Sequence, residues 1–175
     1  EYPQQFRGSG GNTTFIRPVA EFKREIDSGQ IMLHATDGDT RERRGYLRSR
    51  TPNNSLRSWA QGALPVGSVD PAFPSLTVNG PAQPDHVVPV ATIFGMPGFW
   101  ELNQSAQLDG VLNWQENFVP LSPNANASKG AQSYSQWTSY VSRNLQVDPA
   151  FRQRMISKEN KMLRDIPNKI DELAN

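Results

Sequence analysis

Residues 65–97, PVGSVDPAFPSLTVNGPAQPDHVVPVATIFGMP, decide how the chain can fold, because they hold seven prolines in 33 positions. Proline has no N–H to give a sheet ladder and breaks the interior of a helix, so this stretch reads as extended or turned. Two short strand candidates survive in it, Leu76–Val78 and Val87–Phe94, and Pro89 places the second at a sheet edge. Phe99–Leu102 is a third. The charge pattern changes over the same region. Residues 58–128 contain no Lys or Arg, against Asp70, Asp85, Glu101, Asp109 and Glu116. Residues 1–57 carry ten basic and seven acidic side chains and residues 129–175 eight and five, so the blocks read +3, −5 and +3. Such sorting bears on partners and association rather than on fold. A proline-rich, Lys/Arg-free segment is expected to lie along a neighbour that supplies the burial it cannot supply itself.

Downstream of this middle the character changes. Pro120–Gly130 is a loop by composition. Tyr134, Trp137, Val141 and Leu145 then recur at helical spacing and predict a helix over 131–145. Asp148 suits a cap and Pro149 a first helical position, which predicts a second helix over 149–163 with Phe151, Met155, Met162 and Leu163 on one face. Ile166-Pro167 interrupts it, and 167–173 forms a last short helix carrying Ile170 and Leu173.

Upstream, Leu56, Trp59, Ala60 and Leu64 mark a helix over 55–64 with Asn54 or Ser55 as cap, ended by Pro65. Ser105–Phe118 has a weaker helical pattern, against which Asp109-Gly110 argues. Residues 37–54 have almost no apolar content and no period, and read as an Arg-rich loop. Residues 31–36 are a strand or a buried connector. Val19, Phe22 and Ile26 predict a short N-terminal helix over 17–27, with Pro18 at its start. The glycine-rich residues 1–13 read as a flexible arm. The fold class is thus α+β with a large irregular fraction: a C-terminal helical segment over about 131–173, a short N-terminal helix, and a proline-rich extended middle over 65–128 with a few short strands.

The length of 175 residues gives room for a single domain. With no cysteine, disulfides, thiolate metal sites and cysteine nucleophiles are excluded. No apolar run approaches the ~20 residues of a membrane-spanning helix. The chain starts at Glu1 rather than Met, which fits a trimmed chain or a processed, exported one.

Chemistry-bearing residues are few. His34, Asp37 and Asp39 fall in HATDGDT, but Arg41 and Arg43 follow where a calcium loop needs further oxygen ligands, so a turn at Asp37-Gly38 explains them better. GSGGNT at 8–13 lacks the lysine of a phosphate loop, and no serine sits in a GxSxG elbow. Asp85-His86 is the one pair to nominate for a small hydrolase. Glu101 and Glu116 could pair as acid and base, though any chain this size offers such a pair. Sequons begin at Asn12, Asn53, Asn103 and Asn126, little more than chance in an Asn-rich chain. No metal or other cofactor is expected, and an enzyme is the lesser expectation.

The best binding candidates are the guanidinium groups of Arg41, Arg43, Arg44, Arg48, Arg50 and Arg57. Arginine forks match carboxylates and phosphates alike, and Tyr46 and Trp59 nearby could stack a base. The net charge of +1 and the absence of a nucleic-acid motif favour an acidic protein. Tyr134, Trp137 and Tyr140 are candidate partner-facing aromatics, with an ordinary core role for the first two as the alternative. The reading that unites these observations is a soluble structural subunit of a larger assembly, of the virion kind, with other subunits, like or unlike, as partners. A nucleic-acid-binding accessory protein and a small hydrolase are the alternatives.

Overall fold

A computed structural model of the protein describes residues 38–175. The expected arm over 1–13, helix over 17–27 and connector over 31–36 lie outside the described residues. The protein mixes helix and strand around a sizeable irregular fraction, with a few short strands and one long C-terminal helix. The helices are Gly38–Ser49 (α1), Asn54–Ala63 (α2), Val90–Ile93 (α3), Pro123–Lys129 (α4) and Pro149–Ala174 (α5). The strands are Gln83–His86 (β1), Phe118–Leu121 (β2), Ser139–Tyr140 (β3) and Leu145–Gln146 (β4), joined as the antiparallel pairs β1–β2 and β3–β4.

The chain clusters into two compact units of non-contiguous stretches. One takes the described residues up to Thr51 together with Val90–Leu112 and Leu163–Asn175. The other takes Pro52–Pro89 and Asn113–Met162.

In the first unit, Leu47, Ile93, Phe94, Phe99, Val111, Leu112, Ile166 and Ile170 form a buried core. Residues 37–54, expected as a loop, form α1 over most of their length. Arginine and glutamate are good helix formers, which an apolar-periodicity reading ignores. Leu47 is α1's one buried apolar side chain, and the half-buried Arg43 and Arg44 complete its inner stripe with their aliphatic stems. Pro52 disfavours helical geometry at the preceding residue, so the helix stops short of it. Thr51 is buried and donates its hydroxyl to the Leu112 carbonyl at 2.8 Å.

Residues 106–112, inside the weak helical pattern expected over 105–118, wind as a π-helix. Gly110 on it permits a close approach: a Cβ there would come within 2.6 Å of Leu173 Cδ1. Gly98 has φ +79°, and a Cβ would sit 3.0 Å from Ile170 Cγ2. Pro167 does not interrupt α5. A proline inside a helix costs about 3 kcal/mol, and the fully buried Ile166 and Ile170 on either side supply the packing that holds the helix through it.

In the second unit, the core contains Leu56, Phe73, Val78, Val87, Val88, Phe118, Leu121, Tyr134, Trp137 and Phe151. Much of it comes from the proline-rich middle, so that stretch is ordered by its own chain. The prolines are accommodated by register. Pro84 faces Pro120 across β1–β2, a position that fits a ladder pair exchanging no hydrogen bonds, where neither missing N–H is needed. Of the expected strands, Leu76–Val78 contributes only the bridge Thr77–Val69. Val87–Phe94 instead leaves β1 and enters α3, and residues 99–101 form a 3-10 turn.

Asn117, fully buried, clamps the end of the pair. Its Oδ1 accepts from Val88 N at 2.8 Å and its Nδ2 donates to Val88 O at 3.0 Å, while its carbonyl accepts from Val87 N at 2.8 Å. Asp70, also fully buried, accepts from Ala72 N at 2.9 Å, from Phe73 N at 3.3 Å and from the Ser122 hydroxyl. Ser122 in turn caps α4, accepting from Ala125 N at 3.0 Å ahead of Pro123. A helix therefore occupies most of what composition marked as a loop.

The C-terminal helix begins at Pro149, capped by Asp148, whose Oδ1 accepts from Phe151 N at 2.7 Å. Residues 131–145 do not form the expected helix: a single turn closed by Trp137 N donating to Ser133 O at 2.9 Å precedes β3, and Val141–Arg143 follow it as a 3-10 turn. Four serines and β-branched Thr138 and Val141 weaken helix there, and Asn144 turns left-handed at φ 52°. One turn suffices to point both Tyr134 and Trp137 inward.

Candidate functional site

The predicted arginines do not act as one set. Arg41, Arg43, Arg44 and Arg48 lie on α1, with Arg50 just beyond its end, whereas Arg57 is exposed on α2 in the other unit. Within the first unit, α1 lies against an aromatic cluster that the sequence reading had not joined to it. The rings of Phe94, Phe99 and Trp100 sit 5.1–5.5 Å apart, centroid to centroid. The Trp100 indole donates to the Phe94 carbonyl at 2.7 Å.

Three guanidinium groups meet this cluster. Arg43 lies 5.9 Å from the Trp100 ring, Arg44 lies 5.6 Å from Trp100 and 5.9 Å from Phe94, and Arg48 lies 5.6 Å from Phe94. Aromatic faces attract cations at such distances. Arg43 is also tied by hydrogen bonds. Its Nη2 donates to Leu102 O at 3.2 Å and to Gln107 Oε1 at 2.9 Å, and the buried Gln107 donates onward to Phe99 O at 2.9 Å. Arg43 is thus a structural strut between α1 and the π-helix.

Arg44 differs. Its Nε and Nη2 are buried and have no hydrogen-bond partner among the described residues. Burial, and then the charge of Arg48, push its pKa below the usual arginine value. Arg41 and Arg48 are exposed and form no ion pair among the described residues, while Arg50 stacks 4.8 Å from the ring of Tyr46. Gln104 steadies Tyr46 by donating to its hydroxyl at 3.0 Å.

The aromatic candidates separate as well. Tyr134 and Trp137 have no exposed surface, so they are core and not partner-facing; Tyr140 is half-buried, 5.6 Å from the Phe73 ring. Trp137 meets Phe73 and Phe151 edge-on and donates its indole N–H to Ser128 Oγ at 2.9 Å.

Asp85 is committed elsewhere than to His86. Its Oδ2 accepts from the Tyr134 hydroxyl at 2.7 Å and lies 3.0 Å from Lys129 Nζ, which itself sits 4.8 Å from the Tyr134 ring. Burial, and then the charge of Asp85, push the Tyr134 hydroxyl well above the ordinary tyrosine range. His86, next along β1, points to the opposite face and stacks on Phe118 at 4.2 Å. The pair therefore does not orient as a catalytic dyad. Glu101 and Glu116 belong to different units.

Among the described residues, no group of His, Asp and Glu is arranged to hold a metal ion, and no helix is long and apolar enough to cross a membrane. No family model, no curated protein and no solved structure matches this chain.

Proposed function

We propose that the protein is a structural subunit of a larger assembly, of the kind that builds a capsid or tail, and that α1 docks on an acidic surface of a neighbouring subunit. The observation that carries this reading is the outward set of cations Arg41, Arg48 and Arg50 on and just after a helix braced by an aromatic cluster. Bracing matters because a long charged side chain loses rotamer freedom on binding, and a side chain already laid on a ring loses less. The acidic partner is favoured over a nucleic acid because the described part of this unit balances seven basic side chains with seven acidic ones. A unit with no net positive charge lacks the field that gathers a polyanion.

Sedimentation velocity of the full chain at low and high salt tests the reading. The expected result is a species heavier than the 19.5 kDa monomer that dissociates with salt and in the Arg41/Arg48/Arg50→Glu variant. A monomer at every salt and protein concentration, or an oligomer indifferent to those three substitutions, refutes it.

A further inference from the structure

We infer that the Nε and Nη2 donors of Arg44 form a recognition point for a single carboxylate of an acidic protein segment, covered in the free protein by the indole of Trp100. This inference rests on the docking role of α1 proposed above and names the contact that makes it specific.

Three observations support it. First, the two unpartnered nitrogens are not an arbitrary pair. Nε and one terminal nitrogen make up the side edge of the guanidinium plane, the edge that grips both oxygens of a carboxylate in a fork. Second, leaving such donors buried and unpaired is costly, and natural proteins rarely do so without a reason elsewhere. The neighbouring Arg43 shows that this fold can satisfy a guanidinium from within, through Leu102 O and Gln107 Oε1. Arg44, one residue on, has no such acceptor among the described residues. The rings of Phe94 and Trp100 compensate its charge, but a ring face does not replace two in-plane acceptors. Third, like charge is concentrated around it. Arg48 adds to burial in lowering the pKa of Arg44, and an incoming carboxylate would relieve that repulsion.

The cover is displaceable. Trp100 is half-buried, and its indole N–H is held by the Phe94 carbonyl alone among the described residues. A carboxylate entering under the indole would exchange one aromatic contact for two charge-assisted hydrogen bonds.

A hexaglutamate peptide titrated into the full chain tests this, with Trp100 emission as the reporter and Trp100→Phe to identify its share of the signal. The wild type is expected to bind with a change in emission, and Arg44→Lys, which keeps the charge but loses the fork, is expected to bind about tenfold or more weakly. Equal binding by Arg44→Lys overturns the inference, and leaves the docking role of α1 standing if the Arg41/Arg48/Arg50→Glu variant still disrupts the oligomer. Should Arg44→Lys lose its helical circular dichroism, the Nε–H resonance of Arg44 in the wild type replaces it. A downfield shift on adding the peptide supports the fork, and an unmoved resonance overturns it. Tighter binding of a single-stranded oligonucleotide than of the peptide, lost in Arg44→Lys, would overturn the carboxylate assignment in favour of phosphate.

Discussion

Replacing Asp85 by alanine should destabilise the second unit strongly. Lys129 reaches Asp85 Oδ2 at 3.0 Å with 4% of its side chain exposed, against 15% for Asp85. Without the carboxylate, the ammonium is left inside the protein beside the ring of Tyr134. Breaking a buried pair in this way costs about 3–5 kcal/mol, most of it from the stranded charge. The Tyr134 hydroxyl loses its acceptor as well, which costs about 1–3 kcal/mol. The two losses share one oxygen and are not fully additive, so about 4–5 kcal/mol is expected. The reverse change, Lys129→Met, should cost less, about 1–2 kcal/mol, because the more exposed carboxylate keeps the Tyr134 hydroxyl and some water. The double variant Asp85→Ala/Lys129→Met removes the stranded ammonium and should recover about 3 kcal/mol relative to Asp85→Ala. Urea denaturation followed by circular dichroism and tryptophan emission measures all four proteins. Equal midpoints for Asp85→Ala and the double variant would refute the reasoning, since they would show that Lys129 finds solvent on its own.

Other consequences of the same structure can be measured alongside. Ser122→Ala should lower stability by about 2 kcal/mol, because it removes the α4 cap and leaves one oxygen of buried Asp70 unpaired; a midpoint within error of wild type would contradict it. Gly98→Ala should cost about 1–2 kcal/mol, since φ is +79° and the new methyl meets Ile170 Cγ2; its thermal midpoint is the readout. In alkali, Tyr134 holds its proton in the folded state beyond the unfolded value of about 10, so stability should fall as pH rises above about 10. Tyr134→Phe should lack that fall, while Lys158, whose pKa is lowered by burial, contributes identically to both proteins and drops out of the comparison.

How much of this could be read from the sequence depended on whether the signal was local. Helix α2 was legible because its cap and its apolar stripe lie within its own residues: Asn53 accepts from Leu56 N, one residue before the expected cap, and Leu56 and Ala60 are buried. The start of α5 was legible for the same reason, in Asp148 and Pro149. The strands were not. Proline argues against a strand when read alone, and only the facing of Pro84 with Pro120, 36 residues away in sequence, makes both harmless. Helix α4 has the polar sequence PNANASK and is fixed by Ser122, which is itself held by Asp70 from 52 residues upstream. The stripe over 131–145 misled in the opposite sense, because the inward spacing of Tyr134 and Trp137 is equally met by one isolated turn.

The arginines carry the same lesson into function. A scan for apolar periodicity passes over α1, since its inner stripe is made of Arg43, Arg44 and Leu47, and two of the three are charged at their tips. Once the stems are counted as apolar surface, the cluster of six predicted arginines divides by task. Arg43 spends its donors on the fold, Arg57 sits on the other unit, and Arg41, Arg48 and Arg50 face outward. Of the six, Arg44 alone is both inserted into the aromatic cluster and left without acceptors among the described residues. Basic density along the sequence therefore overstates the number of groups available to a partner, and it hides the one whose unmet donors most define what that partner must bring.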